Sequence, residues 1–181
     1  GGLGEAGPSD GLADADVRLA GLRLFQYDLE GCERLARRAG EIAEASGAEG
    51  ARIWAMGFVG SAVAGRGNEE GLNLLDRSFE EAVTAGFYSI ATNMLVNSLG
   101  ARYSYGRAAE VLGRLVLFER LPPSSSVVMM RGLTEANALA AGGQPARAAE
   151  LHSRGLEDRR GVGVVTLVER GAVMMVGELT K

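Results

Sequence analysis

Four bends at nearly constant separation constrain this sequence more than any other feature. Asp28, Gly67, Gly106 and Gly143 lie 39, 39 and 37 residues apart. Between them apolar residues recur at three- and four-residue steps, the period of an α-helix that buries one face. A helical chain that bends at such a fixed period builds a solenoid of helix pairs. A single pair cannot bury its own apolar face and must stack on the next.

Breakers divide the chain into segments of helical length. Helices are predicted at Ala13 to Gln26, Leu29 to Ser46, Ala48 to Gly65, Asn68 to Ala85, Phe87 to Tyr105, Arg107 to Leu121, Ser124 to Ala141 and Pro145 to Asp158, with a ninth segment from Gly161 to the end. Asn68 is a natural N-cap, followed by Glu69 and Glu70 where negative charge favours a helix start. Pro122-Pro123 is a stop, and Pro145 suits the first position of a helix. Short turns make successive helices antiparallel neighbours. The expected fold is therefore all-α, with about nine helices in antiparallel pairs. Residues 1–12 read as a linker or remnant and 13–181 as one helical-repeat domain.

Glycine is over-represented, with 27 residues among 181. Gly21, Gly57, Gly60, Gly71, Gly100, Gly113, Gly132 and Gly171 fall inside helical patterns. Each costs about 1 kcal/mol relative to Ala, so packing rather than propensity must hold the helices, and close helix approach is the benefit that could offset the cost.

Charge and cysteine usage narrow the function. With 23 acidic and 19 basic residues the net charge is −4, and the basic pairs Arg37-Arg38 and Arg159-Arg160 read as solvated helix faces, so direct nucleic-acid binding is not expected. The lone Cys32 cannot close an internal disulfide, and neither a signal-type leader nor a run of about 18 apolar residues stands in the sequence. A cytoplasmic location without membrane contact is expected.

Several stretches resemble the tetratricopeptide repeat. Val59-Gly60, the turn Gly67-Asn68, the acidic pair Glu69-Glu70, then Gly71, Leu72, Leu74-Leu75, Phe79 and Ala82 follow its pattern. Leu99-Gly100, Tyr103 and Gly106-Arg107-Ala108-Ala109-Glu110-Val111-Leu112 repeat it. So do Leu139, Gly143-Gln144-Pro145, Ala148-Ala149-Glu150-Leu151 and Gly155-Leu156-Glu157; Asp28-Leu29-Glu30-Gly31-Cys32 and Ala36 follow more loosely. The period exceeds the family's usual length of about 34 residues. This longer form resembles the helical-repeat regions of large bacterial ATP-dependent transcriptional regulators. The resemblance implies a scaffold or sensor segment; neither a phosphate-binding Gly-Lys-Ser/Thr loop nor a helix-turn-helix is recognisable here.

The last segment departs from the pattern. Val162, Val164, Val165, Leu167, Val168, Ala172, Val173, Met174, Met175 and Val176 make it apolar nearly all round, whereas a terminal repeat needs a polar outer face. Either the chain continues into a longer protein, or two copies associate through residues 161–181 as a homodimer. A strand over Val162 to Val168 is the alternative reading of that stretch.

Catalytic signals are sparse. One histidine and one cysteine do not make a zinc cluster, and no metal or cofactor is expected. Asp76 and Glu80 read as a solvated face, His152 as an exposed or capping imidazole, Cys32 as a packed small residue, and Ser61, Ser89 and Ser98 lack a base. What remains is a groove. The resemblance places the first helix of each pair on the concave face, which makes Trp54, Ser61, Asn93, Asn97, Tyr105, Met130, Arg131 and Asn137 the candidate ligand-binding residues, with Gly57, Met94, Ala101 and Leu133 among them. Aromatic, Met and amide side chains suit a peptide or a small apolar ligand, although Trp54 and the methionines read equally well as interhelical core. The expected function is non-catalytic protein or ligand binding. The alternative is a small-molecule binding protein or minor hydrolase, with Arg131, Glu135, acids or tyrosines at work in the groove or at a dimer interface.

Overall fold

The computed structural model describes residues 8–159, and these form eight α-helices and one 3-10 helix, with no strand among them. The helices are α1 (Pro8–Phe25), α2 (Leu29–Ser46), α3 (Glu49–Gly65), α4 (Glu70–Thr84), α5 (Tyr88–Ser104), α6 (Ala108–Arg114), α7 (Ser125–Ala141) and α8 (Pro145–Arg159). Boundaries agree with the sequence to within a residue or two except in two places. α1 begins at Pro8, five residues before the expected start. The segment expected as one helix from Arg107 to Leu121 narrows after Arg114 into a 3-10 helix, Leu115–Arg120. The expected ninth segment, its strand alternative and residues 1–7 lie outside the described residues.

Local chemistry explains the starts and stops. Asp28 accepts a hydrogen bond from the Gly31 amide at 2.9 Å and opens α2. Ser124 accepts from Val127 N at 3.2 Å and opens α7. Asn68 accepts from Glu70 N at 3.0 Å at the start of α4, satisfying a backbone donor that the helix leaves free.

Six helix ends close in the same way. The amides of Asp28, Ala48, Asn68, Phe87, Arg107 and Gln144 each donate to the carbonyl five residues earlier, at 2.8 to 3.3 Å. The residue before each of them is left-handed: Tyr27 (φ 58°), Gly47 (75°), Gly67 (85°), Gly86 (78°), Gly106 (74°) and Gly143 (78°). This is the Schellman closure, in which one αL residue turns the chain while the last carbonyls keep their partners. Glycine takes that conformation without a Cβ penalty; Tyr27 alone does not have that freedom.

The helices divide into two compact units, Gly1–Ala101 and Arg102–Lys181, with the division inside the last turn of α5. In the first, α1 packs on α2, α2 on α3 and α3 on α4, and α1 also reaches α3. In the second, α6 packs on α7 and α7 on α8. α2, α4 and α8 carry one apolar face and one polar face, whereas α1, α3, α5 and α7 do not separate apolar from polar residues onto opposite faces.

Where α1, α2 and α3 meet, the core is built mostly from small residues, Ala13, Ala20, Cys32, Ala36, Ala39, Ala43, Ala55 and Ala62, with Val17, Phe58 and Val59, whereas Leu75, Met94, Leu95 and Leu99 fill it towards α4 and α5. Small side chains bring helix axes together, and glycine brings them closest where α3 meets α4. A Cβ on Gly60 would lie 2.9 Å from the Gly71 carbonyl oxygen and 3.0 Å from Leu75 N; one on Gly71 would overlap Gly60 O and Ala64 N. Gly57 leaves room for Met94 and Ser78 in the same way. Close approach does not account for Gly100, Gly113 and Gly132, where a Cβ would meet nothing within 4 Å. Among the described residues no helix is long and apolar enough to cross a membrane.

Candidate functional site

The groove candidates fall in both units. In the first unit, α3 and α5 bring two of them together: Asn97 donates from Nδ2 to Ser61 Oγ at 3.2 Å, and Ser61 donates to the Gly57 carbonyl at 3.0 Å. The amide of Asn97 thus finds a neighbouring helix as its partner. Asn93, one turn earlier, is exposed and donates to the Ser89 carbonyl of its own helix at 3.0 Å. Together with exposed Gly100, Asn93 and half-buried Asn97 lie along one strip of α5.

Trp54 is half-buried and stacks on Phe58, ring centroids 6.0 Å apart at 19°. Its indole Nε1 is buried and meets no hydrogen-bond acceptor, so the ring serves the α3 packing more than it presents its donor. Met94 is fully buried against Gly57. In the second unit, Tyr105 lies beneath the Arg107 guanidinium at 5.9 Å, and Arg131 is exposed, 3.9 Å from Glu119. Met130, Leu133 and Asn137 are half-buried on α7.

The structure also contains a set of charged and polar contacts, each joining one helix to the next. Arg38 of α2 pairs with Asp16 of α1 at 3.2 Å. Arg66, just past α3, pairs with Glu33 of α2. Arg52 of α3 pairs with Glu81 of α4 at 2.7 Å, and Ser98 of α5 donates to Asp76 of α4 at 2.6 Å. In the second unit Arg102 of α5 pairs with Glu110 of α6 at 2.6 Å. Asp76 is therefore half-buried at a helix contact and not on a solvated face.

Two of these residues, Asp16 (4% exposed) and Arg102 (5% exposed), are buried charges. Sequence reasoning missed both. Their helical phase was available: Asp16 sits among Ala13, Val17 and Ala20, and Arg102 follows Leu95 and Leu99. A buried charge left without its partner is costly, so these contacts fix the register of neighbouring helices.

The ion pairs shift acidities in the expected sense. The Arg37 guanidinium, hydrogen-bonded to Glu33, holds its carboxyl below the usual value, with Arg66 adding to the effect. Arg52 and then Arg77 do the same for Glu81. Glu33, Arg37 and Arg66, with Glu30 and Arg34, line an open depression of about 480 Å³ on the α2 side. Its central carboxylate is already held by two arginines.

Cys32 is fully buried, with its thiol directed at the Phe58 carbonyl at 3.7 Å. Burial first, and then the charges of Asp28 and Glu33, push the thiol up to about 11. It is a packed residue and not a poised nucleophile. His152 is half-buried rather than exposed, and burial lowers its pKa. Among the described residues no group of three or more His, Cys, Asp or Glu side chains could hold a metal ion.

No family model, no curated protein and no solved structure matches this chain.

Proposed function

We propose that the chain is a tetratricopeptide-like solenoid that holds a partner polypeptide, and that it serves as the scaffold or sensor segment of a bacterial ATP-dependent transcriptional regulator in the cytoplasm. The observation that carries the reading is the repeated Schellman closure. Its left-handed residues fall 20, 20, 19, 20 and 37 residues apart, so one helix-turn module recurs along the chain. The alternation of helices with and without a distinct polar face supports the same reading, because a solenoid buries one helix of each pair more than the other.

The partner surface in this reading is the α5 strip of Asn93, Asn97 and Gly100, bordered on α3 by Ser61. The side-chain oxygens of Asn93 and Asn97, beside a surface that Gly100 keeps low, suit an extended peptide, which needs partners for its own main chain. A non-catalytic role is supported by the state of the groups that chemistry would need. Cys32 is sealed in the core, and Glu33, Glu81 and Glu110 are engaged by arginines. The apolar segment 161–181 either joins two copies as a homodimer or continues into further protein.

Peptides selected from a random displayed library test the binding role. Trp54, the single tryptophan, reports binding by its emission. Asn93→Arg and Gly100→Arg change exposed positions and spare the core. Selected peptides are expected to lose at least about tenfold in affinity to either variant. Peptides that bind both variants as they bind the wild type would overturn the assignment of the surface.

A further inference from the structure

α1 has two apolar faces, of which the described residues cover only one. Ala13, Val17 and Ala20 are buried against its neighbours, at 0 to 1% exposure. On the other side Leu12 (43% exposed), Leu19 (46%), Leu22 (57%) and Phe25 (86%) follow one another at helical steps, with exposed Ala15 between the first two. Exposed Arg18 stands within this row; scattered exposed leucines are ordinary, but four large apolar side chains on one side of a helix mark a contact surface. α3, the next helix of the same type, shows what normally covers such a ridge. Its residues Ala51, Ile53, Ala55, Phe58, Val59 and Ala62 are all buried, and α1, α2 and α4 pack around it.

We propose that the ridge Leu12-Leu19-Leu22-Phe25 is the docking site for residues 161–181 of a second copy of this chain. The inference rests on the self-association reading above and names the surface that receives the segment. The match is one of chemistry and length. Residues 162–176 are apolar nearly all round, with Glu169 and Arg170 the charged exceptions, so they need an apolar partner. At about 1.5 Å per residue in helical form, 21 residues cover the 18 of α1 with little to spare. In the self-association reading this segment joins two copies, so the copy that supplies it is a second one. The contact joins two different surfaces, unlike a segment pairing with itself.

Light scattering of the full chain, with two double variants and a cross-link, separates these arrangements. Leu19→Glu/Leu22→Glu alters α1 at exposed positions, and Val168→Asp/Val173→Asp alters the segment. The wild type is expected to exceed the 18.9 kDa monomer mass, and each double variant to weaken association at least about tenfold. Oxidising an equimolar mixture of Leu22→Cys and Val173→Cys chains is expected to give a covalent dimer that neither chain forms alone; buried Cys32 does not compete. If the segment variant dissociates the protein and the α1 variant does not, the segment pairs with itself. That result overturns this inference and leaves the self-association reading standing. A monomeric wild type overturns both. A monomer in which Leu22→Cys and Val173→Cys on the same chain cross-link internally shows the segment docked on its own α1, and likewise overturns the proposal.

Discussion

Replacing Gly71 by alanine tests whether glycine sets the spacing between α3 and α4. The added methyl would press on Gly60 O and Ala64 N, two groups that an α-helix joins through its i to i−4 hydrogen bond. Neither is a side chain that can swing away. On the opposing helix, a Cβ at Gly60 would already stand 2.9 Å from Gly71 O, so restoring ordinary contact requires the helices to part by roughly 0.5 Å or more. A gap of about 0.5 to 1 Å forfeits a quarter to a half of the dispersion well for each contact it opens. Overpacking of this kind costs about 1 to 3 kcal/mol, offset by at most about 1 kcal/mol of helix propensity gained by alanine. Overlap with two backbone groups places the cost in the upper part of that range, about 2 to 3 kcal/mol, so a net loss of about 1 to 2 kcal/mol is expected. Gly100→Ala is the matched control, because its methyl meets nothing within 4 Å; it keeps only the propensity gain and is expected to stabilise by about 0.5 to 1 kcal/mol. Urea unfolding followed by circular dichroism reads both as shifts of the midpoint in opposite directions, on the order of 0.5 M each at a typical slope. A Gly71→Ala protein as stable as the wild type, or shifted in the same direction as Gly100→Ala, would refute the reasoning.

Other expectations follow from single sites. Tyr27 holds φ 58° while 89% exposed, so Tyr27→Gly is expected to raise stability by up to about 1 kcal/mol, and Gly67→Ala at φ 85° to lower it by a similar amount; thermal melts of the two variants check the signs. Cys32, with its thiol raised to about 11 and fully buried, is expected to resist a disulfide reagent at pH 8 until urea unfolds the first unit, and rapid labelling of the native protein would contradict its packing. Stability is expected to fall in two stages on acidification. His152 has a lowered folded pKa, so the unfolded chain takes up its proton first and stability declines as the pH drops below about 6.5. Glu33 and Glu81 also have lowered values, and the stability they contribute is lost as the pH falls below 4.5 through their folded values. His152→Asn is expected to flatten the first stage of a urea-midpoint profile and leave the second.

Helix positions were legible because their punctuation is local. Asp28, Ser124 and the glycines at 47, 67, 86, 106 and 143 act through bonds within five residues, and these patterns can be read from one strand of text. The 3-10 turn at Leu115–Arg120 was not legible, since apolar spacing at Leu115 and Phe118 suits either helix type. Partner choice for charges was likewise hidden. Asp76 looks solvated beside Arg77 and Glu80, and only the approach of α5 gives it Ser98. Glycine carried mixed information: Gly60 and Gly71 mark a helix contact, while at Gly100 and Gly113 a Cβ would meet nothing within 4 Å. Of the candidate surface, the helical phase that places Asn93 and Asn97 on one face was readable, but the Asn97 to Ser61 bond depends on how α3 and α5 meet.

The solenoid itself is tested most directly by distances between repeat-equivalent positions. Glu41, Glu80 and Glu119 are all exposed and stand 39 residues apart, so spin labels on cysteines introduced at pairs of these sites measure the advance of the array, with buried Cys32 unlabelled. If helix pairs stack in one direction, the 41–80 and 80–119 distances are similar, each on the order of one or two helix diameters, about 10 to 20 Å. The 41–119 distance is then clearly the longest, approaching the sum of the other two. A 41–119 distance no longer than either of the others would mean that the chain folds back into a bundle, and would contradict the solenoid.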